Sequence, residues 1–169
     1  EIYNFVEIRN ELIRLGYKFK TKSDTEVLLK AYIHWGDDVN NHLDGMWAFS
    51  YYDLPSKKLI LSRDLLGERH IFYRITENYL IFASEPKPII LDSPQGLNFN
   101  FQEMVNALQY SSPSAINTLI NEIKRLEAGH LLDATMGKAV TIKRYRKLHP
   151  EKWFEFFNQQ PSLDEVVAK

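Results

Sequence analysis

The chain has 169 residues, close to the ~150 of one ordinary domain and enough to bury roughly 70% of its unfolded surface. Its 44% hydrophobic, 13% aromatic and 25% charged residues are those of a globular protein, which excludes disorder, collagen and coiled coil. With 21 Lys+Arg against 22 Asp+Glu the net charge of −1 draws the chain to neither nucleic acid nor an anionic membrane, and with no cysteine it has no disulfide, thiolate ligand or thiol nucleophile of its own.

The opening Glu1-Ile2-Tyr3-Asn4 reads as the inside of a structured element, so we take the chain as a piece of a longer polypeptide. A first helix is expected over 5–15, with Asn4 as N-cap, Val6, Ile8, Leu12 and Leu15 as its apolar face and Gly16 as its stop. Tyr17-Lys18-Phe19-Lys20 alternates like a short half-buried strand. Ser23-Asp24-Thr25-Glu26 has the form of a capping box, with Ser23 accepting from the N3 amide and Glu26 reaching back. It opens a second helix with Val27, Leu28, Ala31, Tyr32 and Trp35 on the buried face and Gly36 at its end. After a polar stretch at 37–44, the aromatic run 46–53 reads as a strand covered on both faces, and 58–62 as its return across a turn.

A second hairpin is expected from 71–74 and 79–83, ended by the prolines at 86 and 88. A polar loop (91–96), a helix (100–108) and an irregular connector (111–121) follow, then a last hairpin from 130–132 and 139–142. Past Pro150 come a short aromatic helix at 153–157, a linker and a second capping box at 162–165, where a further domain is expected to begin. Hairpins with helices segregated between them indicate an α+β fold with mostly antiparallel sheets. No apolar run approaches the ~20 residues that span a bilayer.

The chemistry begins with absences. There is no nucleophile elbow, phosphate loop or metalloprotease helix, and the five histidines at 34, 42, 70, 130 and 149 show no ligand spacing, so no metal is expected. His130 reads as a satisfied structural histidine. The basic cluster of Lys138, Lys143, Arg144, Arg146 and Lys147 admits docking of a neighbouring domain or a phosphate, and reads first as a solvated strand edge that discourages pairing. Asp24 admits two readings: an acid favoured by the helix dipole at the first helical position, or an acid facing a pocket to pair with a cationic ligand group. The residue pattern alone leaves both open.

The order of motifs resembles the glutaminase domain of class II glutamine amidotransferases. Glu1-Ile2-Tyr3-Asn4 is followed by Gly16-Tyr17-Lys18-Phe19 and Ser23-Asp24-Thr25-Glu26-Val27. Leu43-Asp44-Gly45-Met46-Trp47-Ala48-Phe49 looks like a strand of glutamine-hydrolysing asparagine synthetases, as do Arg63-Asp64 with Gly67, Phe72-Tyr73, Ala83-Ser84-Glu85 with Lys87, and Ile123-Lys124-Arg125-Leu126 before Gly129-His130. The resemblance runs over about residues 1–145 and implies an N-terminal-nucleophile hydrolase-like four-layer α/β/β/α sandwich with mostly antiparallel sheets, its N-terminal part missing. It implies a glutaminase domain over 1–148, and a linker with the start of a downstream synthetase domain over 149–169.

It also implies a reaction. An N-terminal cysteine attacks the side-chain amide of glutamine, releasing ammonia and, through a thioester, glutamate; the ammonia then amidates aspartate in an ATP-dependent domain. Carried over residue by residue, only Glu1 and Asp24 occupy substrate-binding positions, suited to the ammonium group of the partner L-glutamine. The cysteine, the arginine for the substrate carboxylate and the Asn-Gly oxyanion pair would lie upstream of Glu1, and ATP and Mg2+ would belong to the downstream domain, so this chain is expected to hold no catalytic residue or cofactor and to be inactive and only marginally stable alone. Glu68-Arg69-His70 stands where the family usually has Ile-Lys-Pro. The resemblance further implies a cytoplasmic protein with no nucleic-acid or membrane partner, and allows a homodimer. Two alternatives stand beside this reading: a non-catalytic amino-acid-binding or docking module of the same fold, and a glutaminase domain serving a sugar or polysaccharide acceptor.

Overall fold

Helix α1 (Phe5–Arg14) forms where the periodicity places it, burying Ile8 and Leu12 while Val6 and Leu15 stay exposed. Asn4 stands at its N-terminus but caps no amide of the helix. Its Nδ2 donates to His42 O at 2.9 Å and its Oδ1 accepts from Asp44 N at 3.0 Å, tying the start of α1 to the 42–44 segment. The computed structural model describes residues 1–92, 95–110 and 114–147. The expected aromatic helix, the second capping box and the 149–169 boundary lie outside the described residues.

Helix α2 (Asp24–Trp35) starts at Ser23, whose Oγ accepts from Thr25 N at 3.0 Å, one residue earlier than a capping box requires. Glu26 does not reach back to Ser23. Its carboxylate accepts from the backbone amides of Lys20 and Thr21 and from Thr21 Oγ1, at 2.6–3.1 Å. The Lys20 amide is one that a strand over 17–20 would offer a neighbour, Tyr17 N goes to Leu12 O, and the segment pairs with no strand among the described residues. The amides of Lys20 and the hydroxyl of Thr21 hold the Glu26 carboxyl down at about 2, from an ordinary 4.5. A carboxyl depressed by folding contributes stability above pH 4.5, and that contribution disappears as pH falls toward 2. A Glu26→Gln chain is therefore expected to show a smaller loss of stability than wild type between these two values in acid denaturation followed by circular dichroism.

Past a 3-10 turn (Gly36–Asp38) and the short α3 (Val39–His42), two antiparallel sheets form. The first has strand order β1 (Ala48–Asp53), β2 (Lys58–Arg63), β6 (His130–Thr135) and β7 (Thr141–Arg144). The second has order β4 (Leu80–Ala83), β3 (Phe72–Ile75) and β5 (Lys124–Arg125). The two-residue β5, paired to β3 at Phe72 and Tyr73, is too short to show any period in sequence. Among the described residues strand β1 pairs only with β2; Phe49 and Tyr51 pack inward while Tyr52 on the other face is 53% exposed, so the expected coverage of both faces is not observed. The prolines at 86 and 88 end the hairpin as expected but also open a helix, α4 (Pro86–Asp92), since a proline at the first helical position forfeits no hydrogen bond. That helix takes in the first residues of the expected 91–96 loop. Helix α5 is Phe101–Tyr110.

The two-residue period of the strands stacks these elements into layers. Ile60 of β2 and Leu131 of β6 pack with Ile8, Leu12, Val27 and Ala31 of α1 and α2. Their neighbours Leu61 and Leu132 point the other way, against Tyr73 of the second sheet and Ile71 and Leu126, which adjoin its strands β3 and β5. Phe72, adjacent to Tyr73, turns outward onto Ile89 of α4 and Ile123. The order is helix, sheet, sheet, helix, the α/β/β/α sandwich that the family resemblance implies. Each fully buried Leu or Ile in these seams contributes about 1.5–3 kcal/mol.

Candidate functional site

A cleft of about 500 Å³ opens where the start of α2, the entry to β1, the loop after β2 and the end of β4 meet, and both expected substrate-binding residues line it. Glu1 is placed by backbone pairing. Ile2 bridges Gly45 in antiparallel fashion, Glu1 N donates to Met46 O at 2.7 Å, Met46 N to Glu1 O at 3.0 Å, and Tyr3 N to Asp44 O at 2.7 Å. The buried Ile2 side chain anchors this short ladder in the helix-facing core, leaving Glu1 exposed at the cleft. Gly45 makes the approach possible: at φ +137° it has no Cβ, and one built there would meet Glu1 O at 2.5 Å and Tyr3 N at 2.9 Å. Gly45→Ala is expected to cost about 2 kcal/mol or more in urea denaturation and to loosen Glu1 from its ladder.

Asp24 is the first residue of α2, partly exposed on the cleft wall beside Thr25 and Leu28. Its Oδ1 accepts from Thr25 Oγ1 at 3.4 Å and it forms no ion pair among the described residues, so the position serves the helix dipole and also faces the cleft.

The loop after β2, whose residues 68–70 line the cleft, is held by the Arg63-Asp64 pair. Asp64 is fully buried; its Oδ1 accepts from Leu66 N and Glu68 N and its Oδ2 from Arg69 N, each at 3.0 Å. Arg63, also buried, donates Nε to Arg69 O at 2.7 Å, Nη1 to Leu126 O at 2.7 Å, and Nη2 to Gly67 O at 2.6 Å and His70 Nδ1 at 2.8 Å. Gly67, at φ +73°, is required here because a Cβ would meet Arg63 Nη2 at 2.7 Å. This lattice holds the loop that presents Glu68, Arg69 and His70 to the cleft, which Ser84 and Glu85 also line. Burial, then the charges of Arg63 and Arg125, push the His70 imidazole below its ordinary value. Since a guanidinium only donates, His70 Nδ1 is the acceptor and Nε2 carries the hydrogen.

Sequence reasoning marked Arg63-Asp64 and Ser84-Glu85 as motif positions without a role, and Glu68-Arg69-His70 only as a departure. Their place at the cleft follows from the buried turn between two sheets, which no local spacing displays. His130 is satisfied by Ala128 O at 2.8 Å, as a structural histidine is. Among the described residues no group of acids and histidines could hold a metal ion, and no helix is long and apolar enough to cross a membrane.

The glutamine amidotransferase domain family matches residues 1–146 of the chain. The glutamine-hydrolyzing asparagine synthetase 1 of Bacillus subtilis (strain 168) is 31% identical over 147 residues, covering 87% of this chain and 23% of that protein. A putative glutamine-hydrolyzing asparagine synthetase 2 of Methanocaldococcus jannaschii is 33% identical over 149 residues, covering 86% of this chain and 28% of that one. The chain thus spans about a quarter of the length of these curated relatives. A solved glutamine phosphoribosylpyrophosphate amidotransferase from B. subtilis shares the fold, with a TM-score of 0.60 at 19% identity over 87% of this chain and 28% of that one.

Proposed function

We propose, for a chain that belongs to the glutamine amidotransferase domain family and is homologous to glutamine-hydrolysing asparagine synthetases, that the cleft between Glu1 and Asp24 binds L-glutamine for hydrolysis to glutamate and ammonia. The observation that carries this reading is the meeting of two carboxylates, one on a backbone ladder and one on a helix terminus, in a single cleft. An amino acid brings an ammonium group, and carboxylates are its strongest neutralising partners. Glu68 and Glu85 add to the negative field, which attracts the same group.

Hydrolysis adds water across the side-chain amide: the C–N bond breaks, nitrogen leaves as ammonia and the carbonyl carbon becomes the glutamate carboxylate. The chain has no cysteine, so on this reading the attacking thiol comes from outside the 169 residues, while Glu1 and Asp24 fix the amino-acid end of the substrate and so the position of its amide. We further place the ammonia acceptor, aspartate activated with ATP and Mg2+, in a synthetase domain beyond a boundary near 148, and the whole in the cytoplasm as a single polypeptide able to pair as a homodimer.

The test is ammonia release from L-glutamine by the natural full-length polypeptide, alongside calorimetry with L-glutamine. Release and binding together are expected. Binding without release would support the non-catalytic module, and neither would overturn the reading.

A further inference from the structure

A second cleft, of about 370 Å³, opens where the ends of β2 and β7 in the first sheet meet β5 of the second. It shares no lining residue with the cleft of Glu1 and Asp24. Three arginines line it, Arg63, Arg125 and Arg144, against one acid, Glu127. Arg63 is fully engaged by three carbonyls and the His70 ring, and Glu127 Oε2 lies 3.6 Å from His130 Nε2. Arg125 and Arg144 form no ion pair among the described residues. Arg144 makes one long hydrogen bond, from Nε to Arg146 O at 3.4 Å. The half-buried Arg125 side chain makes none; its Cζ stands 5.4 Å from the centre of the Phe72 ring, and its Nε is buried without a partner among the described residues.

A guanidinium keeps its proton throughout the pH range of a folded protein, so a half-buried one cannot relieve its own field by neutralising. Burial, then the charge of Arg125, lowers the neighbouring Arg63 guanidinium from its ordinary value. Buried donors are paired in the great majority of cases, so Arg125 Nε marks a place where an acceptor belongs.

We propose that this cleft binds a phosphoryl group, as free phosphate or on a small ester, with Arg125 and Arg144 as its two forks. A phosphomonoester carries about −1.5 to −2 charge at pH 7 on three acceptor oxygens, which matches two guanidiniums that lack counter-charges; a carboxylate brings only one. Leu65 and Leu66 supply an apolar wall for an organic portion. Sheet pairing sets both arginines in advance, Arg144 opposite His130 and Arg125 opposite Phe72. The period of β7 puts Lys143 on the other face, where its charge acts on Asp37, so the basic cluster is not one continuous surface.

The test is calorimetry on the natural full-length polypeptide with inorganic phosphate, phenyl phosphate and acetate, at one ionic strength set with chloride. Phenyl phosphate is expected to bind with a Kd of about 1 mM or lower, and acetate at least about tenfold more weakly. Arg144→Gln, at an exposed position, is expected to weaken phenyl phosphate by at least about tenfold, Arg125→Met by as much, and Lys143→Gln by less than about twofold. Should Arg125→Met fail to fold, the comparison of Arg144→Gln with Lys143→Gln decides. Inorganic phosphate binding as tightly as phenyl phosphate identifies free phosphate as the ligand, and tighter phenyl phosphate identifies an ester. No phosphate binding by wild type, the result expected if a carboxylate from elsewhere in the polypeptide fills the cleft, would overturn the proposal. So would acetate binding as tightly as phenyl phosphate, or Arg144→Gln weakening it no more than Lys143→Gln. L-glutamine affinity is expected to stay within about twofold in all three variants, so failure of the glutamine reading leaves the phosphate result standing, and the reverse.

Discussion

An Asp64→Ala chain is expected to lose about 3–5 kcal/mol of unfolding free energy, the largest stability effect of any single substitution considered for this molecule. The carboxylate is fully buried and accepts three backbone amides, those of Leu66, Glu68 and Arg69, at 3.0 Å each. Alanine leaves these donors without their partner, at about 1–3 kcal/mol for each one that water cannot reach. It also removes the negative charge next to the buried Arg63 guanidinium, whose own hydrogen bonds go only to carbonyls and the His70 ring. Asp64→Asn keeps the shape and one acceptor oxygen, so it should fall between wild type and alanine. Urea denaturation followed by tryptophan fluorescence gives both values. A midpoint unchanged by Asp64→Ala would mean that the loop before β3 is held by something other than this carboxylate.

An Asp24→Asn protein is expected to lose about 10–100-fold in kcat/KM for L-glutamine while its unfolding free energy changes by less than about 1 kcal/mol. The two figures separate the two readings of this residue. As a helix-terminus acid, Asp24 interacts with the dipole for about 0.3–1 kcal/mol, and its loss appears only in stability. As a ligand carboxylate it pairs an ammonium through charge-assisted hydrogen bonds worth about 1.5–3 kcal/mol, which a neutral amide does not replace. Helix α2 keeps its Ser23 cap in the variant, so the helix itself is not at risk. Steady-state kinetics and urea denaturation on the same preparation decide between them. A loss confined to stability would return Asp24 to a purely structural role.

The helices and hairpins were legible in the sequence because their signals are local. The period of Ile8 and Leu12, the Ser23 cap and the turns at 54–57 and 135–137 each depend on residues a few positions apart. What was not legible depended on partners far along the chain. The alternation at 17–20 resembles a strand, but Glu26 takes the Lys20 amide and Leu12 O takes that of Tyr17. The aromatic run of β1 looks doubly covered, yet only the face of Phe49 and Tyr51 packs on the core while Tyr52 stays exposed. Pro86 reads as a breaker and opens a helix.

The cleft divides the same way. Glu1 and Asp24 came from the family resemblance, and the structure brings them to one cleft through the Ile2–Gly45 bridge and the start of α2. Arg69 and His70 carried no signal of their own, because their exposure to the cleft is set by the buried Arg63-Asp64 pair, with Arg63 joining the end of β2 to Leu126 just after β5. A buried turn of this kind, its two charges bonded to backbone groups, leaves only two charged letters in the sequence, indistinguishable from a solvated pair.

The most direct test of the central claim is a crystal structure of the natural full-length polypeptide with L-glutamate, the proposed product, bound. The account expects the ligand ammonium within about 3 Å of both the Glu1 and Asp24 carboxylates, in the cleft bounded by the 68–70 loop and Ser84. Glutamate bound elsewhere, or in this cleft with its ammonium turned away from both carboxylates, would contradict it.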